Sequence, residues 1–365
     1  MRKIINLVKV ISELWVVFFR VVLFKFGFVV KPYKICWLVT WRCNLACNYC
    51  ELGQANKQEL KDRELSIEDI RRIAPQFRKM GTKFITFAGG EPLMYDDIFK
   101  AIRYCKDLGF VVGLVTNANL ITEEKARELA LSGVDHIHIS LDFPGELHNE
   151  IRNNPDCFQK VDSGIQFLKK YKSISNYHLG IVAVVSGMNY DKLDEVFNYA
   201  KKNTLDSVAL QPFFINQIRN QDMAGKLTIP KDKLGCLNAD IDRFINKYPG
   251  WIRMSSFFSR NIARYFLDPK MKGTTCFGGG LTTNIFPDGT LGSCYYLKAE
   301  GAGSLRDKSL GEIIHSSEYR SLLKRVRRRD CPTCWCAVVH EYNIFFRPLE
   351  ILRSLRLLRV AQDGR

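Results

Sequence analysis

The chain has 365 residues, 46% hydrophobic and 25% charged, enough to bury one large core and a smaller appendage. Its 54 Lys and Arg exceed 38 Asp and Glu, a formal charge of +16 that suits a nucleic acid, an anionic membrane surface or an anionic substrate. Twelve cysteines in a chain this long, without a signal peptide, exclude a small secreted disulfide scaffold and point to a reducing, cytoplasmic protein whose clustered thiols bind metal.

Residues 1–33 are a basic, apolar N-terminal segment. Lys9, Glu13, Arg20 and Lys25 interrupt its apolar run, no small-x-small cleavage site follows, and it falls short of the ~20 uninterrupted apolar residues a spanning helix needs. Residues 34–215 then alternate strand and helix. Strand-like runs at ICWLVT, KFITFAG, VVGLVTNA, HIHISLD, HLGIVAVV and SVALQPFF are separated by helical patterns. Ser66 and Thr122 mark helix starts, and Gly81, Gly109 and Gly133 mark stops. Six βα units in succession predict a parallel sheet, open or closed into a partial barrel, with chemistry at the carboxyl ends of its strands. TWRCN, GGEP, TNAN and SLD fall at those ends for strands one to four.

Residues 216–270 read as a helical connection, and residues 271–340 hold a second cysteine group: Cys276, Cys294, Cys331, Cys334 and Cys336. Residues 341–365 read as a basic amphipathic helix starting near Pro348, with Arg353, Arg356 and Arg359 along it. Both ends mix basic with large apolar residues. Laid in a membrane interface, such segments gain ~0.8 kcal/mol per buried methylene and ~1 kcal/mol per basic residue near anionic lipid. The alternative is that both pack on the barrel with their basic residues exposed. A nucleic-acid partner is not expected, because RVRRRD is short and lacks interleaved aromatic residues.

Cys43, Cys47 and Cys50 put three thiols within eight residues. Three cysteines cannot all pair, so the spacing suggests a metal or cluster site. A four-iron cluster held by three thiolates keeps one iron open for another ligand. A zinc knot or simply buried thiols are the alternatives, although structural zinc wants four closed ligands.

CNLACNYC, with Tyr49 before its last cysteine and Gly89-Gly90-Glu91-Pro92 after the second strand, resembles the signature of radical S-adenosylmethionine (radical SAM) enzymes. The resemblance runs from about Lys34 to Cys336 and implies an α/β fold, a partial (β/α)6 barrel of the radical SAM type. It implies a [4Fe-4S] cluster on Cys43, Cys47 and Cys50, whose open iron is chelated by S-adenosylmethionine. Reductive cleavage then gives methionine and a 5′-deoxyadenosyl radical, with reduced flavodoxin or ferredoxin as electron donor. On this reading Glu91 accepts from the cofactor's ammonium group and Arg152 clamps its carboxylate. Ser140 and Asp142 offer acceptors to ribose hydroxyls, with a helix cap as their alternative. Thr116 and Asn117 are weaker ribose-side candidates, which a solvated loop explains equally well. His136 and His138, alternating with isoleucines, read as structural.

The second cysteine group resembles the SPASM or twitch extension, a small cysteine-rich domain carrying auxiliary iron–sulfur clusters in a radical SAM subfamily. The full pattern has seven or more cysteines and two clusters, so five support one auxiliary cluster. Cys276, Cys294, Cys331 and Cys334 are its expected ligands, with Cys336 a spare or substitute; a four-thiolate zinc site is the alternative. Isolated Cys36, Cys105, Cys157 and Cys236 read as core or surface thiols. The expected function is radical modification of a carbon centre, on a lipid or isoprenoid at the membrane surface. The alternatives are a peptide maturase and, in another class, a non-catalytic iron–sulfur electron carrier. No catalytic acid or base is singled out.

Overall fold

The computed structural model describes residues 2–50, 52, 57–215, 221–248, 250–295, 297 and 301–350, with residues 2–11, 57 and 58 as backbone alone. Helix α1 (Arg2–Lys25) precedes strand β1 (Lys34–Thr40). Then α2 (Lys57–Asp62) and α3 (Ile67–Lys79) lead to β2 (Phe84–Gly89), and α4 (Ile98–Asp107) leads to β3 (Val111–Thr116). Next α5 (Glu123–Leu131) leads to β4 (His136–Ser140), and α6 (Glu146–Arg152) with α7 (Cys157–Ser175) leads to β5 (His178–Val185). Finally α8 (Leu193–Lys202) leads to β6 (Ser207–Pro212). The boundary residues act as the sequence predicts. Ser66 forms a capping box with Asp69, Thr122 Oγ1 accepts from Lys125 N, and Gly81, Gly109 and Gly133 end helices in the left-handed region.

The sheet order is β6-β5-β4-β3-β2-β1-β7-β8, and β1 to β6 pair in parallel in chain order. Sequential parallel strands joined by crossovers of one hand place every helix on one face. That face is apolar: Ile35, Trp37, Ile85, Phe87, Val112, Leu114, Ile137, Ile139 and Ile181 are fully buried. The register Cys36–Thr86–Gly113–His136–His178 runs across the other face, which is polar and lines the inside of the partial barrel. Helix-facing residues therefore supply the core, and the inner face is left to chemistry.

Helices α9 (Ala224–Leu227), α10 (Leu234–Lys247), α11 (Ser256–Arg260) and α12 (Ile262–Leu267) fill the connection that the sequence marks as helical. Strand β7 (Thr282–Ile285) pairs in parallel with β1, and β8 (Leu291–Gly292) returns antiparallel to it. The cysteine-rich segment thus extends the barrel sheet at β1. Helices α13 (Leu310–His315), α14 (Ser317–Arg328) and α15 (Ala337–His340) complete it. Glu341–Phe346 is a 3-10 helix, not the start of an α-helix, and a new helical turn begins at Pro348. The expected stripe of Arg353, Arg356 and Arg359 lies outside the described residues.

Helix α1 docks through Val17, Val21 and Phe24, with Phe24 and Phe277 rings 5.6 Å apart. Gly280 makes this approach feasible, because a Cβ there would lie 2.3 Å from the Phe24 ring. The opposite face carries Trp15, Phe19, Leu23 and Phe26 at 44–77% exposure. Among the described residues, no helix is long and apolar enough to cross a membrane.

Candidate metal centre and cofactor site

The three clustered cysteines sit on the loop after β1, and the end of β2 fastens that loop backbone to backbone. Gly90 N donates to Thr40 O at 2.7 Å, and Glu91 N donates to Arg42 O at 2.8 Å. A Cβ at Gly90 would lie 2.1 Å from Arg42 O, and one at Gly89 (φ +142°) 2.3 Å from Thr40 O. The glycines therefore serve close approach to the cysteine loop itself. Glu91 is fully buried: its carboxylate accepts from Thr116 Oγ1 (2.7 Å), Asn117 N (2.8 Å) and Leu93 N (3.2 Å). Burial raises its pKa to about 6, against the pull of these donors. Pro92 starts the short 3-10 turn Pro92–Met94 beneath it. Glu91 thus ties three strand ends together.

A second knot lies under Cys47. Arg152 forks onto Asp142 through Nε (2.7 Å) and Nη2 (3.0 Å), and its Nη1 lies 3.9 Å from Cys47 Sγ. Tyr49 donates to Asp142 Oδ2 at 3.2 Å, and the Arg152 guanidinium carbon is 5.4 Å from its ring centre. Burial works against the Arg152 charge, and Asp142 more than restores it. Burial raises the Cys47 thiol, and Arg152 offsets that only in part. The Arg152 fork thus lies on Asp142, whose Oδ1 also accepts from Val184 N at 3.0 Å. Thr116 and the Asn117 amide are likewise committed to Glu91. The Asn117 side chain instead donates to Asn44 Oδ1 at 2.8 Å and lies 3.9 Å from Cys43 Sγ. Ser140 is half-buried at the carboxyl end of β4.

The donor set fits thiolates bound to iron. Leu45 N (3.5 Å) and Asn117 Nδ2 aim at Cys43 sulfur, and Arg152 aims at Cys47, where negative charge on sulfur is favoured. Burial first, then the charges of Glu91, Cys47 and Cys50, push the Cys43 thiol up to about 12, so a bound metal has to supply the charge balance. Among the described residues, no group of three His, Cys, Asp or Glu converges on a single-ion position. Cys43, Cys47 and Cys50 would hold a cluster that, with S-adenosylmethionine, supplies a reductively generated 5′-deoxyadenosyl radical.

Sequence reasoning missed the supports. Arg42 pairs with Glu64 at 2.7 and 2.9 Å, and Thr40 Oγ1 also donates to Glu64. Asn48 binds Glu150 O at 2.8 Å, and Asn189 binds both Asp142 O and Val184 O at 2.9 Å. Arg42, adjoining Cys43, and Asn48, adjoining Cys47, are the two whose positions could have flagged them.

In the second group the fields of Cys336, Cys276, Cys294 and Cys331 all act on Cys334, after burial the causes that raise its thiol well above normal. Cys334 therefore lies within electrostatic reach of the other four thiols. Gln211 of β6 seats their loop, donating to Trp335 O (2.7 Å) and accepting from Ala337 N (3.2 Å). Trp335 is buried, stacks on Phe258 at 5.1 Å and donates to Phe258 O. Of the isolated cysteines, Cys105 and Cys157 are buried and Cys236 is exposed.

The family model of the Radical SAM superfamily matches residues 37–200, and that of the SPASM iron–sulfur cluster-binding domain matches residues 276–336. A protein of Oleidesulfovibrio alaskensis named AdoMet-dependent heme synthase is 38% identical over 308 residues, 78% of this chain and 75% of that protein. A protein of Methanosarcina barkeri with the same name is 31% identical over 185 residues, about half of each chain (50% and 51%). Among solved structures, Streptococcus suis SuiB bound to precursor peptide SuiA aligns with a TM-score of 0.63 at 18% identity, covering 80% of this chain and 67% of SuiB. Native anSMEcpe with bound AdoMet aligns at 0.62 and 18% identity, covering 92% of this chain and all (100%) of that one. Fold, cysteine site and sequence agree: the chain belongs to the radical SAM superfamily, as an enzyme with a [4Fe-4S] cluster, S-adenosylmethionine and a SPASM-type auxiliary iron–sulfur domain.

Proposed function

We propose that this radical SAM enzyme works at an anionic membrane surface, modifying a carbon centre of an amphiphilic, lipid-like molecule. The observation that carries this reading is the outward stripe Trp15, Phe19 and Leu23 on α1, continued by Phe26 just past its end, spaced i, i+4, i+8 and i+11. Basic residues lie along α1: Lys25 lies over Phe346, and Arg327 on α14 lies over the docked Phe24 and donates to Phe24 O. An aromatic face flanked by cations matches the interfacial region of an anionic bilayer. Cys43, Cys47 and Cys50 carry the cluster that cleaves the cofactor; Cys276, Cys294, Cys331 and Cys334 carry the auxiliary one, with Cys336 in reserve. Reduced flavodoxin or ferredoxin supplies the electron. Flotation of the full chain with phosphatidylcholine vesicles, with and without phosphatidylserine, tests the surface claim. Binding to the anionic vesicles is expected, falling about tenfold or more in Trp15→Glu/Phe19→Glu. A chain that stays with the soluble fraction in both overturns it.

A second reading has the relatives on its side. Two proteins named AdoMet-dependent heme synthase match well, one along most of this chain. The substrate would then be a tetrapyrrole, also amphiphilic. Coupled 5′-deoxyadenosine formation with tetrapyrroles against lipid extracts separates the two.

A further inference from the structure

Three histidines share the inner face of the barrel. His136 and His178 are register partners on β4 and β5, and their rings lie 5.5 Å apart. His138 stacks 6.3 Å from His136 and lies 5.8 Å from His178. The Nδ1 atoms of all three are buried without a hydrogen-bond partner. Such atoms are costly to leave unpaired in a finished interior. Burial, then the field of Arg253, keeps all three rings below the ordinary histidine pKa, His178 at about 4. Each is a neutral imidazole with one N–H to donate.

Two cations face the same space. Arg253 is held by its backbone, which donates to Val208 O of β6 at 3.0 Å. Its side chain is exposed by area, yet desolvation lowers its pKa, the combination expected of a group standing in a protein-walled space. Lys34 opens β1, and its charge is felt by His136, His138 and Cys336. Among the described residues, neither side chain has an acid partner. The nearby acids are already taken: Asp135 by Lys106 and Val112 N, and Asp206 by Lys172 and Leu179 N. The inner face thus holds two positive charges without an acid partner among the described residues and three imidazoles with unpartnered Nδ1 atoms.

We infer that Arg253, Lys34, His136, His138 and His178 form a subsite for an oxyanion of the substrate, a carboxylate or a phosphate. An arginine fork and neutral N–H donors suit either anion. With the anionic end fixed there, the substrate's body reaches toward the strand ends where the radical is made. The subsite rests on the radical reading only in taking its ligand to be the substrate; anion binding is independent of turnover.

Arginine modification by phenylglyoxal, read by peptide mass spectrometry on the anaerobic holoprotein, tests it. Inorganic phosphate and succinate are the two probes, each against sodium chloride of equal ionic strength. We expect one or both anions to slow modification of Arg253 by about tenfold and to leave exposed Arg103 unaffected. Protection by phosphate alone assigns a phosphate, and protection by succinate alone a carboxylate. The protection should shrink to about twofold or less in His138→Leu and in Lys34→Met, two variants so that poor folding of one leaves the other. Lack of protection by both anions, equal protection of Arg103, or full protection in a folded variant overturns the subsite. Failure of 5′-deoxyadenosine production in the unmodified protein would sink the radical reading without touching this result.

Discussion

The two cysteine sites are built on opposite plans. The first uses three thiols within eight residues, and its loop is fastened by main-chain bonds from Gly90 and Glu91 to the end of β1. The second draws five thiols from residues 276 to 336 and seats them by side chains, Gln211 and Trp335. A site fastened through the sheet backbone has little room to adjust. One gathered by a loop, with a thiol in reserve, tolerates a lost ligand better.

The largest test of that contrast is a pair of ligand changes. Cys47→Ser should reduce uncoupled S-adenosylmethionine cleavage on the order of 10³-fold, whereas Cys336→Ser should change it by less than about threefold. Equal losses would erase the distinction. Next comes the buried knot under the first site. Arg152→Met leaves Asp142 charged and unpaired, and should cost about 3–5 kcal/mol in denaturant unfolding. Adding Asp142→Asn should recover part of that loss, a non-additivity that a double-mutant cycle reads directly. Gly90→Ala forces a Cβ against Arg42 O and should cost about 1–3 kcal/mol. Its iron content at the first site should fall while the auxiliary site stays filled, as Mössbauer spectra would show.

The smallest effect concerns the auxiliary side. Glu341 accepts from Ser255 N at 3.0 Å, and burial raises its pKa from 4.5 to about 7. The folded state therefore binds the proton more tightly than the unfolded chain. Its stabilising contribution is whole below pH 4.5 and is lost as pH rises toward about 7. Glu341→Gln should flatten the stability–pH profile in that window, where the slope from one proton is at most ~1.4 kcal/mol per unit. An unchanged slope would mean the carboxyl ionises freely.

The βα order was legible because each strand and helix carries its own period and punctuation: Ser66 and Thr122 start helices where their side chains can cap. Cys43, Cys47 and Cys50 were legible for the same local reason. What the sequence concealed is long-range pairing. Arg152 and Asp142 invite separate ligand roles when read along the chain, and only folding shows that each satisfies the other. Glu91 reads along the chain as an acceptor for the cofactor, and only folding shows Thr116, Asn117 and Leu93 donating to it. His136 and His138 alternate with isoleucines like any structural residues; the missing partners of their ring nitrogens belong to the space that β4 and β5 enclose. The pairing of β7 with β1 was hidden too, since parallel neighbours so far apart share no turn.

The central claim is that three thiolates on the loop after β1 hold an iron cluster with one site for S-adenosylmethionine. Anaerobic reconstitution with iron and sulfide, reduction, and assay of 5′-deoxyadenosine with S-adenosylmethionine present tests it most directly. The account predicts 5′-deoxyadenosine and methionine in equal amounts, abolished by Cys47→Ser. Zinc at those three cysteines, or a filled iron cluster inert to the cofactor under strong reductant, would contradict it.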